Sequence, residues 1–377
     1  MKPRIRRSGS RPNFAVLDLF SGCGGLIEGF TSVRDRPARL VPAKAVELDP
    51  SAAATYAANF GSHVFQGDIA DWLGTDELAE IDVVAGGPPC QGFSTLGKRD
   101  PDDARNKLWL RYAEAVAAVK PYYFVLENVE PFLRSSQYQD LLGLTRPGEL
   151  LCDYTLDDSP LLVRASDFGA AQNRRRAVVI GRRSGLPAVH LTKTTKQMTV
   201  RDVIGHLPQT VRQKDLPQRS CTVAVENRAI DTDGVFLTSE LHVTRNFSDI
   251  SLRRFQAIEE GGNRHSLPHD LKAPCWQRNP AGANDVMGRM HWDRPSVTIR
   301  TEFFKPEKGR YLHPQADRPI THMEAALLQG FPEDFRWCGR KSDIARQIGN
   351  AVPVALGQAI AAGVLDGLVA AGVEPKG

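Results

Sequence analysis

No two of the six cysteines in this 377-residue chain lie at Cys-x-x-Cys spacing, and none is grouped with histidines as zinc ligands are. They stand singly at 23, 90, 152, 221, 275 and 338. That scatter excludes a structural zinc site on sequence grounds and points to reduced thiols in a cytoplasmic setting. Nothing in the sequence resembles a secretory leader either. Lys2, Arg4, Arg6 and Arg7 imitate its charged start, but the apolar stretch that follows, Phe14 to Phe20, is short and broken by Asp18. No run is long enough to span a bilayer, and there is neither an internal repeat nor a low-complexity segment.

What remains is a chain of 41% hydrophobic and 24% charged residues, a globular composition with length for one large or two ordinary domains. The net charge is only +4, yet basic residues gather in Met1 to Pro12, in Arg174-Arg175-Arg176 and at Arg182-Arg183. Such clusters suit a polyanion, although the first is equally a solvated terminus.

Short apolar runs alternate with amphipathic segments through the first half, the pattern of a doubly wound α/β domain with a parallel sheet and crossover helices. Expected strands are Phe14 to Asp18, Ala43 to Leu48, His63 to Gly67, Ile81 to Ala85, Tyr122 to Leu126, Leu161 to Ala165 and Ala177 to Gly181. Pro50 opens a helix through Phe60, and Leu108, Tyr112, Ala115, Val116 and Val119 form one face of another. After about Gly185 the period is lost as far as Pro295, which predicts a smaller, loop-rich unit. Near the end, Thr321 and Glu324 make a capping box for a helix through Leu328. Leu356, Ile360, Val364 and Leu368 then predict a last helix packed back on the sheet.

Cys90 sits in Gly87-Pro88-Pro89-Cys90-Gln91, just past an apolar run. A thiol at the carboxyl end of a parallel strand faces the crevice where such sheets bind ligands, which suits a nucleophile as well as a structural cysteine. The turn Asp18 to Gly25 joins the first strand to a helix, and its small residues would let backbone amides approach a ligand. It departs from the dinucleotide fingerprint, because Ile27 stands where the third glycine belongs. Glu47 and Asp68 end the second and third strands. Either acid alone reads as an exposed strand-end carboxylate, but together with the glycine turn they point to an adenosine-containing cofactor. Glu127 ends the fifth strand and would share the crevice with Cys90, while Gln172 to Arg176 leads arginines into another strand.

Five segments, Asp18 to Gly25, Gly87 to Gln91, Glu127-Asn128-Val129, Gln172 to Arg176 and Gln347 to Pro353, follow in the order of the DNA (cytosine-5)-methyltransferases. The chain resembles the bacterial modification enzymes of that family over about 14–181 and 296–370. The resemblance implies an S-adenosylmethionine-dependent, Rossmann-like sheet. It places a catalytic and cofactor-binding domain at 1–190, a target-recognition domain at 191–339, and a segment at 340–377 returning to the first. Cys90 would attack carbon 6 of a cytosine flipped out of double-stranded DNA. Glu127 would bind ring nitrogen 3 and the exocyclic amine, Arg176 the ring carbonyl, and Arg174 would orient Glu127. For the cofactor it implies Phe20 against adenine and the Ser21, Gly22 and Gly24 backbone near the methionine part. Glu47 would hold the ribose, Leu48, Asp68 and Ile69 would bracket the adenine, and Pro89, Leu108 and Asn350 would close the pocket.

Phe93 to Lys107, with Lys98, Arg99 and Arg105, resembles the loop that closes over the base. Arg245, Arg264, Arg278 and Arg289 are surface candidates for reading bases. A cognate restriction endonuclease sharing the site, without a stable complex, and a monomeric enzyme are implied as well. The rival reading is a transfer-RNA cytosine-5 methyltransferase, whose Cys-Phe-Thr signature this chain lacks.

Overall fold

In the computed structural model, which describes residues 11–75, 79–89, 108–156, 161–278 and 281–377, the apolar runs of the first half become paired strands. β1 (Asn13–Leu19) is followed by α1 (Gly25–Ser32), β2 (Arg39–Glu47), α2 (Pro50–Phe60), β3 (Val64–Gln66) and α3 (Ile69–Leu73). Then come β4 (Val83–Gly86), α4 (Leu108–Val119) and β5 (Tyr123–Asn128). These strands are parallel in the order β3-β2-β1-β4-β5, so the winding direction reverses between β1 and β4. The crevice outside that reversal is the ligand position of open α/β sheets. β4 and β5 are buried along their whole length, as continuous apolar strands covered on both faces should be.

The parallel pattern expected beyond β5 does not continue. After α5 (Ser136–Leu144) come β6 (Tyr154–Leu156), β7 (Leu161–Arg164), the two-residue β8 (Gln172–Asn173) and β9 (Arg175–Arg183). β9 runs antiparallel to β5, and β6 and β7 run antiparallel to β9. The short link between β7 and β9 holds a tight helical turn at Ala165–Phe168 and the two-residue β8, too little for the crossover a parallel neighbour needs.

The helices follow from local signals. Asp49 caps α2 by accepting the Ala52 N–H at 3.0 Å, with Pro50 in the first turn. α4 buries Tyr112, Ala115, Val116 and Val119 and leaves Leu108 half-buried at its open end. Side chains alternate along β1: Val16 joins the apolar cluster on one face of the sheet, Leu17 and Leu19 the cluster on the other.

The second half holds short pieces: α6 (Val200–Ile204), the hairpin β10 (Cys221–Ala224) with β11 (Ala229–Thr232), β12 (Val235–Leu237), α7 (Asp249–Gln256), α8 (Pro274–Arg278) and β13 (Ser296–Val297). Thr321 and Glu324 form the expected capping box of α9 (His322–Gln329). β14 (Arg336–Cys338) pairs back with β12 within this half, whereas β13 pairs with β8 and so stitches this half to the first. α10 (Lys341–Asn350) leads to α11 (Val354–Ala371).

α11 corrects one reading of the sequence, since on length and composition alone its 18 residues could cross a bilayer. Its apolar face is spent elsewhere. Leu356, Ile360, Val364 and Leu368 are fully buried in the cluster that holds Phe30 of α1 and Val125 of β5. Truncating Leu356, Ile360 or Leu368 to alanine would cost roughly 2–5 kcal/mol.

Candidate active site

At the end of β1 the chain turns through two left-handed residues, Phe20 and Gly22, both at φ 55°. A Cβ on Gly22 would meet nothing within 4 Å, so this turn faces open space. Ser21 N–H bonds Val46 O at 3.2 Å, and Gly22 N–H bonds Glu47 Oε2 at 2.8 Å. The second Glu47 oxygen accepts Asp49 N–H at 2.7 Å. Glu47 therefore braces two turns at once while each oxygen keeps a free lone pair.

Burial raises the pKa of the Glu47 carboxyl, and burial together with the charge of Glu47 raises Asp18 well above the carboxylate range. Asp18 Oδ2 and Ser21 Oγ are buried with no hydrogen-bond partner. Nearby, Asp68 caps α3 through Oδ1, Ile69 is buried, and Leu48 is 65% exposed, an apolar side chain with nothing over it.

Glu127 projects from the end of β5 and pairs with Arg176 of β9, Oε1 to Nε at 2.7 Å. Both side chains are nearly buried, so the pair is little screened by water. A Cβ on Gly87 would sit 3.0 Å from Glu127 Oε2, so a glycine is what lets the Pro-Pro turn approach this carboxylate. Asn128, also buried, donates to Pro88 O at 3.0 Å and ties that turn to β5. Cys90 and the Phe93 to Lys107 loop lie outside the described residues.

Arg174 behaves differently from its expected role of orienting Glu127. Its Nη1 donates to Ile299 O and Gly349 O, each at 3.0 Å, and its Nη2 to Asn350 O at 3.5 Å. It straps the β8–β9 junction to the end of α10. Desolvation and the charge of Arg176 push its pKa down to about 9, and its Nε is buried without a partner.

One cavity of about 840 Å³ is lined by Phe20, Ser21, Gly22, Glu47, Leu48, Asp68, Ile69, Pro89, Leu108, Glu127, Arg174, Arg176 and Asn350. Every described site residue of the sequence reading meets there except Gly24. At φ 92°, Gly24 caps α1, and a Cβ on it would lie 2.3 Å from the Phe60 ring, so close packing rather than ligand contact explains that glycine.

The sequence reading gave no role to several groups that share this wall. Asp18 lines it, as do Asn128, Gln347 and the Asp49–Arg346 ion pair at 2.7 Å. Asp18, Asn128 and Gln347 lie inside the recognised motifs, whereas nothing local in sequence pairs residue 49 with residue 346. Cys23 lines it as well, but burial raises its thiol pKa far above the ordinary range, leaving it protonated. Of the four arginines expected at the surface, Arg245 and Arg278 are exposed, but Arg264 and Arg289 are buried. Arg289 is held by the carbonyls of Phe255, Ile258, His313 and Ala316.

Residues 14–365 match the C-5 cytosine-specific DNA methylase family. The Type II methyltransferase M1.HphI of Haemophilus parahaemolyticus is 35% identical over 364 residues, covering 94% of this chain and 87% of that protein. M.XorII of Xanthomonas oryzae pv. oryzae is 31% identical, covering 93% and 84%. A solved E. coli protein, described as a prophage-encoded DNA modification methyltransferase, superposes with a TM-score of 0.69 at 26% identity, covering 94% and 99%.

Proposed function

Because this chain belongs to the C-5 cytosine-specific DNA methylase family, we propose that it methylates carbon 5 of a flipped-out cytosine in a specific duplex DNA sequence through a covalent Cys90 adduct. The observation that carries the reading is a single cavity that joins the Glu127–Arg176 pair to the Glu47 turn. One end suits a base and the other a nucleoside.

The residues present fit S-adenosylmethionine. Asp18 and Glu47 are two buried acids with raised pKa values, Asp18 through burial and the charge of Glu47, and one Asp18 oxygen is unpartnered, so a cationic ligand would relieve them. The spare lone pairs of Glu47 suit a ribose diol. The uncovered Leu48, with Ile69, Phe20 and Asp68, suits an adenine ring. When bound, S-adenosylmethionine supplies an electrophilic methyl group.

Carbon 5 of cytosine is a poor nucleophile while the ring is aromatic, so the protein must interrupt that aromaticity. The Cys90 thiolate forms a bond to carbon 6, and Glu127 holds a proton at ring nitrogen 3 to take up the charge this displaces. Arg176 fixes the Glu127 carboxyl and presents a donor to the ring carbonyl. Arg174 acts as a positioning residue, holding the strand start that carries Arg176. Once methylated carbon 5 has given up its proton to water, Cys90 leaves as the thiolate and the ring recovers. The target base must leave the stack to enter, at roughly a few kcal/mol.

Residues 1–190 are read as catalytic, 191–339 as target-recognising and 340–377 as closing on the first. The chain is read as a cytoplasmic monomer acting on bacterial DNA. Protection of that DNA from a nuclease of the same specificity follows by family analogy, and a genome without such a nuclease nearby would remove that role. The test is transfer of tritiated methyl groups to duplex DNA and to transfer RNA by the purified chain, with bisulfite sequencing of the product. Label in duplex DNA at one cytosine context is expected; label in transfer RNA alone overturns the reading.

A further inference from the structure

A second cavity, of about 360 Å³, opens at the other end of α10, with Lys341 and Ser342 in its lining. Along the helix this is about 13 Å from Asn350. Its walls include Phe247, Phe304, Pro319 and Ile320, and Arg245 and His322 also line it. None of these belongs to the catalytic cavity.

His322 is buried and lies parallel to Phe304, with ring centroids 5.7 Å apart and planes at 18°. Its Nε2 is 3.0 Å from Lys341 O. A carbonyl only accepts, so Nε2 carries the hydrogen, and burial pushes the imidazole pKa down to about 4, which keeps the ring neutral. Nδ1 is then a bare acceptor, buried and without a partner. No side chain of the lining donates to that atom.

Cations of the cavity are not equivalent. Arg340 pairs with Asp343 at 3.1 Å and Lys341 with Asp215 at 2.6 Å. Arg245, its guanidinium 5.1 Å from the centre of the Phe247 ring, makes no ion pair among the described residues. Arg245 is also exposed, so its guanidinium is accessible to an anion. Apolar and aromatic walls, an acceptor awaiting an N–H and a free guanidinium together complement a flat base bearing a phosphate.

We propose that this cavity takes one nucleotide unit of the DNA strand, its base N–H donating to His322 Nδ1 and its phosphate pairing with Arg245. The proposal rests on DNA being the substrate, and methylation of the same duplex reports on that separately. A free nucleotide shares the chemistry and is distinguished by competition.

The full chain is irradiated with duplexes carrying 5-iododeoxyuridine at successive positions around the methylated site, and crosslinked peptides are identified by mass spectrometry. Crosslinks to the peptides that carry Phe247 or Phe304 are expected, falling at least fivefold in Arg245→Gln. In salt titrations of DNA affinity, Arg245→Gln should lower the log–log slope by about 0.9, one phosphate contact. His322→Phe should weaken binding with the slope unchanged. Arg245 is exposed, so its variant keeps the test open even if His322→Phe does not fold. DNA that is bound and methylated with no such crosslink and an unchanged Arg245→Gln slope overturns the proposal and leaves the methyltransferase reading intact. Free 5-iododeoxyuridine monophosphate that crosslinks to these peptides and resists displacement by excess DNA also overturns it, assigning the cavity to a free nucleotide.

Discussion

The crevice of the sheet and the interior of the second half treat buried polar groups in opposite ways. Around the crevice, Asp18 Oδ2, Ser21 Oγ, Arg174 Nε and Gln347 Oε1 are buried without partners. In the second half, Arg289 spends its donors on four carbonyls and Asp317, and Glu324 binds Arg318 through both oxygens at 2.7 and 2.8 Å. A buried polar group without a partner costs roughly 1–3 kcal/mol, so a cluster of them at one cavity marks groups set aside for a ligand. Saturated groups of equal burial mark architecture. The exceptions in the second half are Arg264, Thr232 and His322, and only His322 lines one of the cavities described above.

The largest expected effect lies at the crevice. Glu127→Gln should lower the single-turnover rate of methyl transfer roughly 10³-fold while DNA affinity stays within a few-fold, because the shape is kept and the proton-holding carboxyl is lost. An unchanged rate would remove Glu127 from the chemistry. On the saturated side, Arg289→Met should cost roughly 3 kcal/mol of stability, measured by denaturant unfolding, since it strands several buried carbonyls at once. A variant as stable as the parent would erase the contrast drawn above.

Acid probes the same interior. Burial pushes His313 and His322 down to about 4 from an ordinary 6.5. Between those values the unfolded chain takes up protons that the folded chain refuses, so stability falls as pH drops from about 6.5 to about 4 and is insensitive to these groups above that. Each could contribute at most about 3 kcal/mol. Melting temperatures at pH 7.0, 5.5 and 4.5 should therefore fall less steeply in His322→Phe than in the parent. The smallest effect returns to the crevice: Glu47→Gln should weaken S-adenosylmethionine binding roughly tenfold by calorimetry, because the amide NH2 that replaces one carboxylate oxygen accepts from neither a turn N–H nor a ribose hydroxyl. Undiminished affinity would sever Glu47 from the nucleoside.

What could be read from sequence was whatever the chain settles locally. Pro50 to Phe60 carries its own cap, Leu108 to Val119 carries its own apolar face, and both form helices at those bounds. Strand ends put Glu47, Asp68 and Glu127 at one edge because parallel strands share a direction. The antiparallel return of β9 was hidden, since an apolar run does not announce which way it lies. Hidden too were contacts that join distant residues: Arg174 to Ile299 and Gly349, Asp49 to Arg346, and the cage of carbonyls around Arg289. A buried arginine and a surface one look alike in a loop-rich segment, which is why Arg264 and Arg289 were read as exposed.

The most direct measurement uses a duplex with 5-fluorocytosine at the target position, incubated with the full chain and S-adenosylmethionine. Fluorine cannot leave carbon 5 as a proton does, so a nucleophile added at carbon 6 stays attached. A covalent protein–DNA complex whose crosslinked peptide carries Cys90 is expected, and none in Cys90→Ser. Methylation of the normal duplex with no trapped complex, or a trapped complex on any other residue, would contradict it.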